Sequence, residues 1–377
     1  MFDVLIAGAG PAGSVAATVL ARAGARVLVL DRARFPRPKL CGDTVNPGAL
    51  AVLRALRLAG VTAGGIPIDG MIVTAEPGVR IEVRYDGVQG RALTRSVLDA
   101  ALVAAASDAG ARIEQGVLVQ GPLLETSGAT PSVSGLVIKG SDGRAVRIPA
   151  PIVIAADGRH SRVARALGLS GAPPHPRRWA VGAYFSDVGG LSSCGEMHVR
   201  RGHYIGVAPM PGGLANACVV TANRAALGRP AALLLQTLRS DPQLKGRFAA
   251  ARMVSEPVSL GPLAVDCHVA GAPGLLLAGD AGGFVDPMTG DGLRFAFRGG
   301  ELAALEAMRA LEHGAGDAHV RLLEDRTREF ARKWQFNRSL RALVGSPLAV
   351  RAAGVGAALA PRLLHHVVSY AGDVQAA

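Results

Sequence analysis

Residues 4–31 read VLIAGAGPAGSVAATVLARAGARVLVLD, and this stretch decides the fold. Phe2 to Ala7 form a short apolar run, glycines follow at once, and Ser14 to Ala23 are Ala-rich at helical density. Gly24 ends that stretch, and Arg26 to Asp31 form a second apolar run closing on an acid. Strand, Gly turn, helix, strand is one βαβ unit. Gly8, Gly10 and Gly13 stand at GxGxxG spacing, with Pro11 and Ala12 inside the motif. Gly8 permits the tight turn, Gly10 leaves room for a pyrophosphate, and Gly13 lets the helix pack close to the strand. The helix N-terminus offers amide donors and partial positive charge to phosphates. Asp31 lies 18 residues beyond Gly13 and is followed by Arg32. A carboxylate there can accept both ribose hydroxyls and disfavours a 2'-phosphate. The pattern calls for a dinucleotide and does not separate FAD from NAD.

Outward from this unit, the 377 residues suffice for two or three domains, or one large interleaved unit. Apolar residues make up 49% and charged residues 19%, which excludes disorder as the main state. The 49 glycines have no period of three, so a collagen-like chain is excluded. The net charge is +12, yet the 41 basic residues form no dense block and no nucleic-acid-binding module is recognisable. Attraction to anionic cofactors or lipids fits that charge. Cys41, Cys194, Cys218 and Cys267 are too scattered for a metal or disulfide framework, and no metal site is expected. The N-terminus carries no basic leader or export cleavage signal, so a cytoplasmic location is expected. No apolar run is long enough to predict a transmembrane helix.

Further along, helices are predicted over 48–59 and 94–109, strands over 66–90 and 111–148, and a fully apolar strand over 151–156. From Trp179 to Val265 alternation returns and predicts a mostly antiparallel sheet, interrupted by a helix over 225–250. A strand over 274–278, a long helix over 293–311, a polar helix over 317–340 and an Ala-rich tail complete the chain. Nucleotide-binding elements thus lie at both ends and in the middle, with a sheet inserted between them. The expected division is a discontinuous domain of 1–65, 91–178 and 266–330, a substrate-binding β-sheet domain of 66–90 and 179–265, and a helical C-terminal segment of 331–377.

Three further segments carry a resemblance: FPRPKLCGD (residues 35–43), DGRHSRVAR (157–165) and GDAGGFVDPMTGDGL (279–293). With the N-terminal fingerprint, they make residues 1–310 resemble FAD-dependent oxidoreductases that include geranylgeranyl reductases and aromatic-ring monooxygenases of the p-hydroxybenzoate hydroxylase type. The resemblance implies a glutathione-reductase-like, Rossmann-type FAD domain of the α/β class. It implies that Asp280 contacts the ribityl or ribose-phosphate part of FAD, with Gly279 giving close approach. Pro287 to Gly292, with Gly290 among them, should pass beside the isoalloxazine. The helix starting near Leu293 should point its N-terminus at the ring and stabilise negative charge there. Asp157 and Gly158 match the family's DG motif, with Asp157 ordering the loop. Arg95 is the arginine expected to reach the FAD phosphates. Lys39, Cys41 and Gly42 match the loop that crosses near the flavin, with Cys41 as a small pocket-lining residue.

Two outcomes follow from reduced FAD. In one, oxygen adds at C4a and the hydroperoxide hydroxylates an electron-rich ring; in the other, hydride passes to an isoprenoid double bond. Residues 202–216, GHYIGVAPMPGGLAN, depart from the aromatic-rich YxWxFP-type stretch of prenyl reductases. Residues 286–303 look closer to hydroxylases of lipophilic phenols. The main expectation is therefore an NADH- or NADPH-dependent monooxygenase acting on a lipophilic phenolic or polyketide-derived substrate. A geranylgeranyl-reductase-like enzyme, a flavin-dependent halogenase and a non-catalytic dinucleotide-binding module are the alternatives. The halogenase reading lacks its WxWxIP tryptophan pair, the chain holding Trp179 and Trp334 alone. His203 and Tyr204 are the candidates to orient or deprotonate a phenol, and His198 is expected at the surface. The tail from Arg338 to Val368 is expected to pack on the protein, with dimerisation or peripheral membrane contact as alternatives. The molecule is expected to be a monomer or homodimer.

Overall fold

The computed structural model describes residues 1–75, 78–85, 87–125, 131–140, 142–173, 177–345, 366–367 and 369–372. Its helices are α1 (Pro11–Arg22), α2 (Pro47–Ala55), α3 (Arg95–Asp108), α4 (Arg162–Ala166), α5 (Pro230–Ser240), α6 (Gly292–His313) and α7 (Ala318–Gly345). No described helix is long and apolar enough to cross a membrane.

The first sheet has the strand order Gly271–Ala272, Leu275–Leu277, Ile152–Ala155, Val4–Ala7, Val27–Asp31, Arg112–Gln115, parallel throughout except at the Gly271–Ala272 edge. Its central strands read as unbroken apolar runs because both faces are covered. Val4, Ile6, Val27 and Val29 face α1 and α6, while Leu5, Ala7, Leu28 and Leu30 face a three-stranded antiparallel sheet of Val119–Glu125, Ser132–Lys139 and Ala145–Pro149. α1 and α6 meet backbone to backbone. A Cβ at Gly300 would lie 2.3 Å from the Ala12 carbonyl oxygen.

The second sheet runs Arg252–Met253, Trp179–Ser186, Leu214–Thr221, His203–Met210, Cys194–Arg200, Gly70–Ala75, Val79–Arg84, with Val258–Leu260 also paired to Trp179–Ser186. Every pair is antiparallel except Cys194–Arg200 with Gly70–Ala75. Alternation sorts its side chains by face. Val181, Phe185, Ile205, Val207, Ala217 and Val219 pack under α5 on the outer face. Ala180, Tyr204 and Val220 on the inner face meet Leu40, Phe284 and Met288 from loops of the nucleotide-binding half.

Four expectations need correction. The helix predicted over 225–250 is α5 alone, with a 3-10 turn at Ala225–Gly228 before it. Pro230 can open a helix but has no N–H to continue one. At the other end Asp241 turns extended, its carboxylate taken by Arg200 Nε (2.6 Å) and the Gln243 amide (2.9 Å). Ile66–Ile68 leaves the large sheet and pairs with Gly90–Ala92, which also pairs Thr44–Val45. The boundary drawn at 330/331 falls inside the unbroken α7. His198, expected at the surface, is buried on the outer face of the sheet: Nδ1 bonds Thr74 Oγ1 (2.8 Å) and Nε2 meets Glu196 Oε2 (3.1 Å). The middle of the tail, 346–365, lies outside the described residues, and with it most of the stretch proposed to touch membrane. Residues 369–372 pack on α7 and the sheet, with Tyr370 edge-to-face on Phe336 and Gly372 against Tyr85.

Candidate active site

The glycine turn sits at the carboxyl ends of the parallel strands. Gly8 has φ +99°, and a Cβ there would lie 2.4 Å from the Ala156 carbonyl oxygen. A Cβ at Gly13 would lie 1.9 Å from the Gly8 oxygen. In front of Gly10 the space is open, the nearest atom being Arg37 Nη2 at 3.7 Å from the Cβ position. Pro11 opens α1, and the first helical bond is Ser14 to Gly10. The amides of Ala12 and Gly13 therefore have no partner within the helix. Asp31 is placed beside the turn, but its oxygens already accept main-chain amides: Ala9 at 2.7 Å on Oδ2 and Ala33 at 2.8 Å on Oδ1. In this structure Asp31 locks the turn, and each oxygen keeps a lone pair for a further donor. Arg32 is exposed.

Beside the turn lies a group of cations. Arg95 is buried and holds Asp99 through Nε (2.8 Å) and Nη2 (2.9 Å), and Arg37 Nη2 reaches the same carboxylate at 3.2 Å. Arg159 Nη2 lies 3.5 Å from Asp280, while its Nη1 is buried with no partner. Lys39 has no ion-pair partner among the described residues. Burial, with Arg95 beside it, brings the Lys39 ammonium down to about 8. Four cations thus face two carboxylates, and the imbalance suits an anion. Arg95 was expected to reach phosphates; its Nε and Nη2 are held by Asp99 instead. Arg37, not singled out from sequence, is the guanidinium next to Gly10.

Two further loops frame the site. Asp157 Oδ2 accepts the Arg162 amide (2.8 Å) and opens α4, while Oδ1 is buried without a partner. Gly158 and Gly279 both have positive φ, and a Cβ at Gly279 would lie 2.9 Å from that of Ala12. Asp286 caps the turn Pro287–Thr289 through the Met288 amide (3.1 Å), and Gly290 follows in the left-handed region. Asp286 also accepts from Tyr204 Oη (2.7 Å) and Arg178 Nη1 (3.1 Å). Asp291, just before Gly292, is buried at the N-terminus of α6. It is held by Asn46 Nδ2 (3.3 Å), Asn337 Nδ2 (3.2 Å) and Lys333 Nζ (3.4 Å). Lys333 also donates to the carbonyls of Tyr370 and Ala371. Leu293 is buried among residues of α2 and α3.

The inner face of the second sheet closes over these loops. Tyr184 Oη and Asn216 Nδ2 both donate to Asp43 Oδ2, at 2.5 and 2.6 Å. Asn216 also reaches the Cys41 carbonyl (2.9 Å), and Cys218 Sγ lies 3.1 Å from Asn216 Oδ1. Asp43 has φ +54°, is 1% exposed, and its Oδ1 has no partner. Burial pushes its carboxyl up to about 6, against the hydrogen bonds from Tyr184 and Asn216. Arg95 ties this loop to the cations, its side chain bonding the Cys41 thiol and its main-chain amide and charge supporting the Asp43 carboxylate. Next to Tyr184 lies an apolar hollow of about 220 Å³, walled by Leu93, Val97, Met210, Leu214 and Val254 among others.

The candidates His203 and Tyr204 are not brought together. They point to opposite faces of one strand. Tyr204 is on the inner face, its hydroxyl on Asp286, and burial with that carboxylate raises its pKa well above the usual value. His203 stands on the outer side with Ile205. Asp43, Tyr184 and Asn216 were missed, although Asp43 closes the quoted FPRPKLCGD segment. No group of described residues could hold a metal ion.

A family model described as FAD binding domain matches residues 1–331. The chain belongs to this FAD-binding family. It is a flavin-dependent oxidoreductase. Digeranylgeranylglycerophospholipid reductase 1 of Methanopyrus kandleri is 34% identical over 333 residues, covering 82% of this chain and 81% of its own. A menaquinone reductase of Mycolicibacterium smegmatis is 31% identical over 323 residues, covering 80% of this chain and 75% of its own. Among solved structures, the flavin-dependent brominase Bmp2 superposes with a TM-score of 0.85 at 20% identity, covering 98% of this chain and 93% of its own, a likeness of fold. The residues present fit FAD: an open glycine turn, an excess of cations beside it, and a buried Arg159 nitrogen without a hydrogen-bond partner. Gly8 to Gly13, Arg37, Lys39, Arg159 and Asp280 would hold the dinucleotide, with the N-terminus of α6 and residues 287–292 beside the ring.

Proposed function

We propose that this family member is a reductase that saturates carbon–carbon double bonds in the isoprenoid chain of a lipophilic molecule, with NADH or NADPH as electron donor. The observation that carries the reading is the alignment, over about four fifths of this chain, with reductases named for prenyl-chain lipids and quinones. Bound FAD would supply hydride to the substrate. The protein's part is to hold the chain in an apolar space, exclude water and provide a proton. The inner wall is apolar. Leu40, Met288, Phe284 and Val220 pack together on it, and a separate apolar hollow lies beside Tyr184.

Phenol hydroxylation, the expectation from sequence, asked His203 and Tyr204 to handle a phenol. One of them lies on the far face, and the other is a neutral phenol bound to Asp286. That observation moves the reading to reduction.

The test uses the purified holoprotein. Incubated without oxygen with NADPH or dithionite and a polyprenyl quinone, it should give a product heavier by pairs of hydrogens. A product that forms only in air, gains one oxygen and keeps its double bonds would replace the reductase by a monooxygenase.

A further inference from the structure

Three arginines are buried among the described residues: Arg95, Arg200 and Arg326. Two of them are held by a carboxylate through Nε and Nη2, Arg95 by Asp99 and Arg200 by Asp241. Arg326, on α7, faces no carboxylate among the described residues. Its Nη2 donates to the Gly282 carbonyl (2.5 Å), and its Nη1 is buried with no hydrogen-bond partner. The acids beside it on α7 are engaged elsewhere, Asp325 with Arg309 and Arg328, Glu329 with Arg294 and Arg298. Trp334 presents its ring at 5.7 Å. The Cys267 thiol lies near enough to act on the charge, but it donates to the Val269 carbonyl and is itself pushed toward the neutral form by burial. A buried cation without an anion is costly, yet Arg326 is 5% exposed.

Its place is behind the Gly279–Gly282 turn. Gly282 is not in the left-handed region, so its backbone does not call for glycine. A Cβ there would lie 2.4 Å from Arg326 Nη1, so glycine at 282 makes room for the guanidinium against the main chain. At the other end of the same turn, a Cβ at Gly279 would lie 2.9 Å from that of Ala12, in the first turn of α1. Between these ends Asp280 meets Arg159 at 3.5 Å. Four residues of 3-10 turn rise about 6 Å. The Arg326 charge therefore stands one short turn away from the start of α1, and it acts through protein, where salt screens it little.

We propose that Arg326 is a positioning residue of the dinucleotide site: it fixes the Gly279–Gly282 turn from behind and supplies a positive charge whose anion is the diphosphate of the cofactor. It acts through the turn and through its charge, not by contact. In front of the turn, Arg37, Lys39, Arg95 and Arg159 already outnumber Asp99 and Asp280. Arg326 adds to that excess from the other side, and a doubly charged diphosphate answers it. The assignment concerns the holding of FAD and stands for a reductase and a monooxygenase alike.

The test reads affinity and not turnover. Arg326→Gln removes the charge and keeps a donor, Arg326→Met removes both, and Arg326→Lys keeps the charge. Dilution of the holoprotein, followed by recovery of flavin fluorescence, gives the FAD dissociation constant. ADP, which carries the diphosphate, and riboflavin, which lacks it, are then titrated as competitors. R326Q and R326M should bind FAD and ADP about 10-fold more weakly than the parent, with riboflavin within about twofold. R326K should stay within about threefold of the parent for all three. Parent-like affinity for FAD and ADP in both neutral variants would overturn the assignment. An equal loss for riboflavin would do the same, since it marks a strut that shapes the whole site. A loss in R326K as large as that in R326Q, or neutral variants that do not fold, would also overturn it, because the charge would then not be what Arg326 supplies.

Discussion

Asp43 and Glu196 are both buried carboxyls on the second sheet or its contacts, and they respond to pH in opposite directions. Asp43 titrates at about 6 in the folded protein, above its ordinary value of 3.8. Between those values the folded chain keeps a proton that the unfolded chain has lost. Its contribution to stability is therefore full below pH 3.8 and lost as pH rises through 6, by about 3 kcal/mol. Urea titrations of the parent minus D43N should show that decline across the same window. For Glu196, burial alone would raise the carboxyl, but the bonds from Arg247 and His198 outweigh it and hold it at about 2. Its contribution is present above 4.5 and lost as pH falls through 2. Arg247→Ala strips the bidentate pair, at 2.6 and 2.7 Å, and should cost about 3 kcal/mol in urea unfolding at neutral pH. Of these residues the sequence showed little. Glycines and acids of a phosphate-binding turn sit at fixed spacings, whereas Tyr184, Asn216 and Asp43 meet across 141 and 173 positions of chain. Period-two alternation does place Tyr184, Asn216 and Cys218 on one face of their strands. The loop that covers that face cannot be read from the alternation.

At the level of elements, the close contact of α1 with α6 carries the most weight. It lays Gly300, in the third turn of α6, against Ala12 in the first turn of α1, beside the glycine turn. Gly300→Ala would put a methyl 2.3 Å from the Ala12 oxygen and must part the helices. The expected result is a loss of about 1–3 kcal/mol, with FAD retention in gel filtration falling alongside. Lys333→Met tests the other anchor of α6. It takes the Lys333 ammonium away from the buried Asp291 carboxylate, and should destabilise by about 3 kcal/mol. Elements with strong periodicity or a fingerprint, such as the first βαβ unit and α6, were legible from sequence. The stretch 225–250 was not, since its Ala and Leu content suits a helix while Pro230 and Asp241 set where one can begin and end.

Across the whole molecule, the glycine turn, the DG loop and the GDAGG loop come from residues 8–13, 157–159 and 279–293, and the sheet that covers them comes from the chain between. That interleaving was legible, because apolar strands ending in Gly-Asp or Asp-Gly recur at 157 and 279. The clamp that the sheet makes was not. Its inner tyrosines hold two different loops, Tyr184 the one at Asp43 and Tyr204 the one at Asp286. One ligand touching all these segments should couple them. Removing FAD with acid ammonium sulfate should lower Tm by roughly 5 °C or more, and readdition should restore it. Calorimetry should give one transition in the loaded protein.

The strand order has a consequence for how the polypeptide is made. Leu275–Leu277 lies next to Ile152–Ala155 in space but more than a hundred positions later in sequence. On the ribosome, Ile152–Ala155 is therefore a bare sheet edge for the whole time that the inserted strands are being synthesised. Long-range parallel pairing is also the slow part of folding. The nascent chain must wait with an open, fully apolar edge until its last third arrives, and that interval is when it is most prone to pair with a neighbour instead of with itself.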